Sequence, residues 1–458
     1  MNDLAAMPRL VPPAPLVPPR ALPLRAFLRA IRTNALTIWP EAAYTQDLFV
    51  QRSLGRTYAL INSPEAIRRV LVDNTENYRR TPATIRILRP ITGDGLLLSE
   101  GDAWRHQRRT VAPALAPRVM PMLARHMVAV TQEQLPVLAA LAGRGPVDLL
   151  AALQGLTLEI AGRSMFSLDL AAGSAPLRRL LAEFAETLSR PHLLDMVLPP
   201  GVPTLRDLRR RRFQARWMRL IEQIIQDRMD APQPQTPRDL FDLLRAARDP
   251  ETGAGFSPAQ LRDQLATLLL AGHETTAVTL FWALTLLAQD GAEQERVAAE
   301  ARSVAITADG GTDALALLVR TRAVINEALR LYPPAFTIVR AAIGGERLDD
   351  FDLPKGAVVM IAPWVLHRHR KLWCDPEAFD PDRFMPDAPA VPRFAYLPFG
   401  VGPRVCVGAQ FALTEAVLVL ALLVREFLVE IETARPVLPA GIVTTQPDHA
   451  ALFRLTER

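Results

Sequence analysis

Cysteine is nearly absent: two residues, Cys374 and Cys406, in a chain of 458. A disulfide framework is thereby excluded, and a reducing, cytoplasmic setting is expected. A surplus of charge is also lacking. The 53 basic and 48 acidic residues leave +5, too little to imply nucleic acid as a partner. No glycine-rich phosphate loop and no internal repeat occurs. The N-terminus has no long apolar run, because seven prolines between Pro8 and Pro23 interrupt it. It therefore offers neither a signal-peptide core nor a membrane anchor. Residues 1–25 read as an extended, poorly ordered arm, with a proline-rich partner motif as the alternative. Residues 26–458 read as one large unit without an evident domain boundary.

What is present is mostly helix. Composition is globular, at 49% hydrophobic and 22% charged residues. Strand candidates are short, at 57–61, 357–362 and 427–432, so the expected fold class is mainly α with small β-sheets (α+β). In the segment 205–229, Phe213, Trp217, Leu220, Ile221, Ile224 and Ile225 recur at helical spacing. The run Arg209–Arg212 then falls mainly on the solvated face, with a phosphate or membrane patch as the alternative.

From Ser257 the chain reads "SPAQLRDQLATLLLAGHETTAVTLFWALTLLAQDG". Ser257 is a candidate N-cap, Pro258 sits at N1, Gln260 completes a capping box, and Gly291 stands where a C′ residue would. The helix should run roughly 50 Å and be buried, since it is apolar nearly all round. A membrane span is disfavoured by His273 and Glu274 at its centre. Gly272 leaves room beside the helix, Glu274 is a carboxylate in an apolar element, and Thr275 can bond the carbonyl of Ala271. That segment alone fits a structural kink as well as a working site.

Glu327 and Arg330 stand at i, i+3 in "INEALRLYPP", and Arg383 follows in a proline-punctuated loop. Such pairs usually lie on surfaces; a second arginine on the same carboxylate would instead make a buried network. Cys406 sits in "FGVGPRVCVGAQ", ahead of an apolar helix. A lone cysteine is usually a small hydrophobe, the reading that suits Cys374. Zinc ligation lacks a second ligand at short spacing, and no histidine base for a nucleophilic thiol is indicated. Around Cys406, Gly400 and Gly402 permit a tight hairpin, Gly408 admits a flat body, and Arg404 can meet a carboxylate. The helix start should lower the thiol pKa. Thiolate, flat partner and arginine together suggest haem with a cysteine axial ligand.

These residues resemble the cytochrome P-450 family of haem-thiolate monooxygenases. "FGVGPRVCVG" (399–408) matches its F-x-x-G-x-R-x-C-x-G loop, and "AGHETT" (271–276) its oxygen-activating helix. "EALR" matches its E-x-x-R pair, "PDRF" the partner-arginine segment, and "WRHQR" (104–108) its W-x-x-x-R element. The matches fall in family order over residues 93–408. One departure is "HRHR" (367–370), where the family often has H-R-D-P; an altered surface loop is expected there.

The resemblance implies one P-450-like domain with haem b between the long central helix and the cysteine-loop helix. Cys406 would be the metal ligand, with Phe399 packed near its sulfur and Gly408 beside the ring. Arg404, Arg108 and Arg340, with the Trp104 indole, would meet the propionates. Ala271, Gly272, Glu274 and Thr275 would form the catalytic groove, where Glu274 and Thr275 steer protons as O2 is consumed. Glu327, Arg330 and Arg383 would form the network supporting the loop. Ile85, Leu96, Ala335, Phe336 and Thr337 would line a pocket for a small hydrophobic substrate. The implied reaction is hydroxylation, with electrons from a ferredoxin or flavodoxin-type donor and its reductase, and with no membrane anchor. A peroxide-driven haem-thiolate enzyme and a non-enzymatic haem sensor are the rival readings.

Overall fold

The structure is a computed structural model that describes residues 9–53, 55–167, 175–198, 202–230, 232 and 235–458. Its axis is the central helix Pro258–Gln289. Ser257 and Gln260 cap it reciprocally, at 3.3 and 2.9 Å, which satisfies two backbone N–H groups that no helical carbonyl can reach. The far end differs from expectation. Asp290 caps a new helix there, and Gly291 opens it instead of terminating the old one in a left-handed turn. Around the axis pack Leu149–Phe166, Val319–Leu331, Leu205–Asp230 (the roof helix) and Ala409–Glu426 (the cysteine helix). An apolar circumference needs apolar neighbours on every side, and these supply them. Among the described residues no helix is long and apolar enough to cross a membrane.

The strand candidates at 57–61 and 357–362 pair in parallel, Tyr58 opposite Val358, inside a five-stranded sheet. Its other strands are Leu48–Ser53, Ile338–Ala342 and Tyr78–Arg79. The third candidate forms Phe427–Ile431, between whose residues and Val147–Asp148 runs Leu452–Glu457.

Two sequence expectations need correction. The N-terminal arm is extended, but from residue 9 it is tied down. Leu10 O accepts the Phe379 N–H at 2.8 Å, Pro18 O accepts that of Glu41 at 2.9 Å, and Arg9 pairs with Asp380 at 3.1 Å. Residues 1–8 of the arm lie outside the described residues. The arginine run does lie mainly on the solvated face, with Arg209, Arg211 and Arg212 exposed; its exception is Arg210, buried because Asp195 receives both its terminal nitrogens, at 2.6 and 2.9 Å. Finally, "HRHR" is not a surface loop. His367 and Arg368 are buried, and His369 is 1% exposed, its Nε2 against Gln46 O at 3.2 Å. Only Arg370 faces solvent.

The pair Glu327–Arg330 lies in the core, both residues fully buried. The Arg330 guanidinium donates five hydrogen bonds: two to Glu327 at 2.7 Å, and one each to His367 O (2.9 Å), Pro376 O (2.6 Å) and Ala378 O (2.7 Å). Every donor of the group is thus used. Glu327 also accepts the Asp380 N–H at 2.9 Å. Arg383 joins as a looser ion pair, 3.6 Å from Glu327 and 3.7 Å from Asp380. His367 carries the network onward. Its Nε2 accepts the Leu397 N–H at 2.8 Å, so the proton sits on Nδ1, which donates to Arg330 O at 3.1 Å. Burial, with the Arg330 charge behind it, pushes this imidazole from 6.5 down to about 3.

Replacing Arg330 with Ala should strand a buried carboxylate and cost about 3–5 kcal/mol. The expected result is little recoverable protein, and Arg330→Lys should not rescue it, because one ammonium cannot serve five acceptors; wild-type yield and melting temperature in either variant would refute this. His367 also sets a pH dependence. The unfolded ring takes up a proton below 6.5, while the folded ring resists until about 3. Its stabilisation is therefore complete above 6.5 and is lost as pH falls, at up to about 1.4 kcal/mol per pH unit. Melting temperatures measured between about pH 7 and about pH 5 should fall more steeply for wild type than for His367→Gln; parallel slopes would contradict the assignment.

Candidate active site around Cys406

His367 holds the entry to the cysteine loop through Leu397, and Tyr396 adds an anchor by donating to Asn326 O at 2.9 Å. The loop then turns sharply through Gly400 (φ +69°) and Gly402 (φ +76°). At Gly402 a side chain is excluded twice: the φ is left-handed, and a Cβ would lie 2.1 Å from Leu71 O. The hairpin closes when Cys406 N–H donates to Phe399 O at 2.9 Å, and the cysteine helix begins three residues later at Ala409. Protein surrounds the Cys406 thiol, yet it remains solvent-accessible, so it opens on an internal slot and not on the surface. Beside it, a Cβ on Gly408 would touch nothing within 4 Å. The expected acidification of the thiol is overturned. Burial pushes it up, and the Gly408 N–H and the Arg108 charge only partly oppose this. Such a thiol ionises when a metal cation binds it, since coordination deprotonates a thiol outright.

Next to the loop, cations outnumber anions. Arg404 donates to Ser99 O at 3.0 Å and pairs with Glu100. Arg80, which no motif flagged, meets the same Glu100 at 3.2 Å. Burial and the neighbouring arginines hold both Arg340 and Arg404 down at about 10. Three guanidiniums around one carboxylate leave an excess of two positive charges, which suits a ligand bearing two carboxylates. Arg108 donates to Val405 O at 2.8 Å. Trp104 lies under the Arg404 guanidinium at 4.4 Å, so its ring is engaged by a cation–π contact. Arg404, Arg108, Arg340 and Trp104 are thus gathered at one place. Glu100 and Ser99 are positioned by the preceding loop, which is stapled to the central helix. Asp94 N–H donates to Asp263 and Leu96 N–H to Gln264, at 2.9 and 3.1 Å. Gly95 lets the loop lie that close, because a Cβ there would sit 2.2 Å from Thr267 Oγ1.

On the central helix, Ala271 is exposed although Leu269 and His273 on either side are buried. Thr275 Oγ1 donates back to Ala271 O at 2.6 Å, as expected from the sequence, and Thr276 repeats the pattern to Gly272 O at 2.9 Å. The space beside Gly272 is not free. Met165 occupies it, 3.3 Å from where a Cβ would stand, and the open side belongs to Ala271. Glu274 is 9% exposed and accepts from Thr444 at 3.0 Å and Gln446 at 2.8 Å. These partners lie in and just before the strand Thr445–Pro447, which pairs with Pro439–Gly441, far off in sequence and without any local signal. His273 turns away, bonded to Leu269 O at 2.9 Å, and burial lowers its pKa. Thr276 also bonds Glu415 of the cysteine helix, a carboxyl that burial raises well above the usual range. Glu415 therefore joins the two helices as a neutral acid.

The expected pocket residues divide. Leu96 and Phe336 are packed into the core, Phe336 edge-on to Trp39 at 6.4 Å. Ile85 and Thr337 are half-buried, and Ala335 is exposed. The Thr337 hydroxyl is buried without a partner among the described residues.

The cytochrome P450 family model matches residues 41–452. Cyclooctatin synthase of Streptomyces melanosporofaciens is 33% identical over 88% of this chain and 88% of its own. Pentalenene oxygenase of Streptomyces avermitilis is 30% identical over 96% and 97%. The crystal structure of the cytochrome P450DA heme domain superposes with a TM-score of 0.82 at 26% identity, covering 97% of this chain and 98% of that one. Motif, buried network and whole-chain similarity agree, and the chain belongs to the cytochrome P450 family of monooxygenases.

Proposed function

We propose that Cys406 binds the iron of haem b as thiolate and that the enzyme hydroxylates a hydrophobic small molecule. The observation that carries this reading is the Cys406 thiol opening on an internal slot beside an arginine cluster with two positive charges to spare. Haem in that slot supplies the O2-activating, electron-accepting centre. Arg80, Arg340 and Arg404 would hold its propionates in a site that burial makes dry, and Arg108 stands close to the sulfur. Phe399 and the Gly408 N–H would flank the thiolate and temper its charge.

The central helix would manage protons. The Thr275 hydroxyl spends its own hydrogen on Ala271 O, which leaves its oxygen able to accept from a water. Glu274 beside it is kept in place by Thr444 and Gln446 and can pass protons inward from that side. This acid–alcohol pair favours use of O2 with an external electron source over a peroxide-driven reaction. A separate ferredoxin or flavodoxin-type donor with its reductase is the proposed source. The names of two relatives point to hydrocarbon-like substrates, cyclooctat-9-en-7-ol and pentalenene. The half-buried apolar side chain of Ile85, in the helix before Glu100, suits such a molecule.

Cys406→Ser should abolish the red-shifted carbonyl band of the reduced protein, because an alkoxide does not replace thiolate; an unchanged band would refute the ligand assignment. Thr275→Ala should keep haem and substrate-induced spectral shifts but divert reducing equivalents to peroxide, lowering product per electron pair by about tenfold. Full coupling in that variant would remove Thr275 from proton delivery.

A further inference from the structure

The arginine run at 209–212 has no part in the cysteine site. A surface cavity of about 280 Å³ lies between the first half of the roof helix and the segment ending at Leu188. Arg206, Arg209, Arg210, Arg212 and Arg216 line it against one carboxylate, Glu183. Two of these cations are answered: Arg210 forks on Asp195, and Arg216 pairs with Glu183. The other three, Arg206, Arg209 and Arg212, have no carboxylate partner among the described residues, and Arg206 reaches only the Arg190 carbonyl, at 3.3 Å. Guanidiniums crowded this way repel one another unless an anion joins them.

The same helix face carries exposed apolar side chains. Leu205, Leu208, Arg209 and Arg212 stand at i, i+3, i+4 and i+7, on one side of the helix. Leu205 is 84% exposed and Leu208 52%. Val202, three residues before Leu205, and Leu194 are exposed as well, and Arg86 ties their two segments together through the carbonyls of both, at 3.1 and 3.2 Å. A cationic cavity at the end of an apolar strip fits a ligand with an anionic head and an apolar chain. Three guanidiniums lining one cavity exceed what one carboxylate can accept, whereas a phosphate or diphosphate presents enough oxygens for all of them. The cavity volume, about nine water volumes at ~30 Å³ each, accommodates such a head.

We propose that this cavity binds the phosphate or diphosphate head of an amphiphile, with its chain along Leu205 and Leu208. The amphiphile is either an anionic bilayer lipid or a soluble long-chain phosphate ester. The test uses the purified holoenzyme and calorimetric titration with inorganic pyrophosphate and with dodecyl phosphate below its micellar concentration. Both should bind, dodecyl phosphate at least about tenfold more tightly. The double variant Arg209→Ala/Arg212→Ala should weaken both by about tenfold or more while keeping haem absorbance and melting temperature. Arg211→Ala, exposed on the same helix but outside the cavity, should change neither. Flotation with phosphatidylglycerol vesicles but not phosphatidylcholine vesicles, lost in the double variant, would assign the lipid source. Dodecyl phosphate binding without flotation would assign the soluble one. Absence of pyrophosphate binding at millimolar concentration, or equal binding by the double variant, overturns the proposal. Equal affinity for pyrophosphate and dodecyl phosphate overturns the role of the apolar strip.

Discussion

One buried ion pair holds the structure together. Glu327 and Arg330 lie where no water reaches, and all five guanidinium donors are used. A buried pair is a weak net stabiliser, because the desolvation of both ions offsets most of their attraction. It is a strong constraint, because neither partner tolerates losing the other. Arg330 therefore fixes three carbonyls of the 367–378 segment, and His367 transmits that position to Leu397 at the mouth of the cysteine loop. Arg9 of the N-terminal arm reaches the same system through Asp380. The loop's geometry is thus set from beneath, by charge burial, before its own glycines shape it.

The site itself is balanced the other way. Where the Arg330 guanidinium has every donor used, the residues around Cys406 are not so matched. Its thiol is held neutral by burial, and three arginines share one carboxylate. Each imbalance would be relieved by a different part of the proposed cofactor, the thiol by a cation and the arginines by two anions. On the central helix Glu274 is supplied with two donors, while on the cysteine helix burial raises the Glu415 carboxyl well above the usual range.

The fold class, the central helix with its capping box, and the three strand candidates were all legible from periodicity and end signals, which are local properties. The hydroxyl bond from Thr275 to Ala271 was legible for the same reason, since i−4 geometry is built into a helix. Errors arose where burial is decided by distant chain. Arg210 looks solvated until Asp195 is brought beside it, and "HRHR" looks like surface until residue 46 covers His369. Gly272 seemed to leave room that Met165 in fact takes.

Read alone, the residues single out candidate groups for chemistry: a lone cysteine after a glycine hairpin, an acid–alcohol pair in an apolar helix, and a Glu–Arg pair on another. They do so because side-chain chemistry and helical spacing need no neighbours. Which charges are compensated was decided only by tertiary structure. Arg80 and Glu100 complete the cation cluster, Thr444 and Gln446 satisfy Glu274, and burial keeps Cys406 neutral. Electrostatic state depends on distance and dielectric, and both come into being only when segments hundreds of residues apart close on one another.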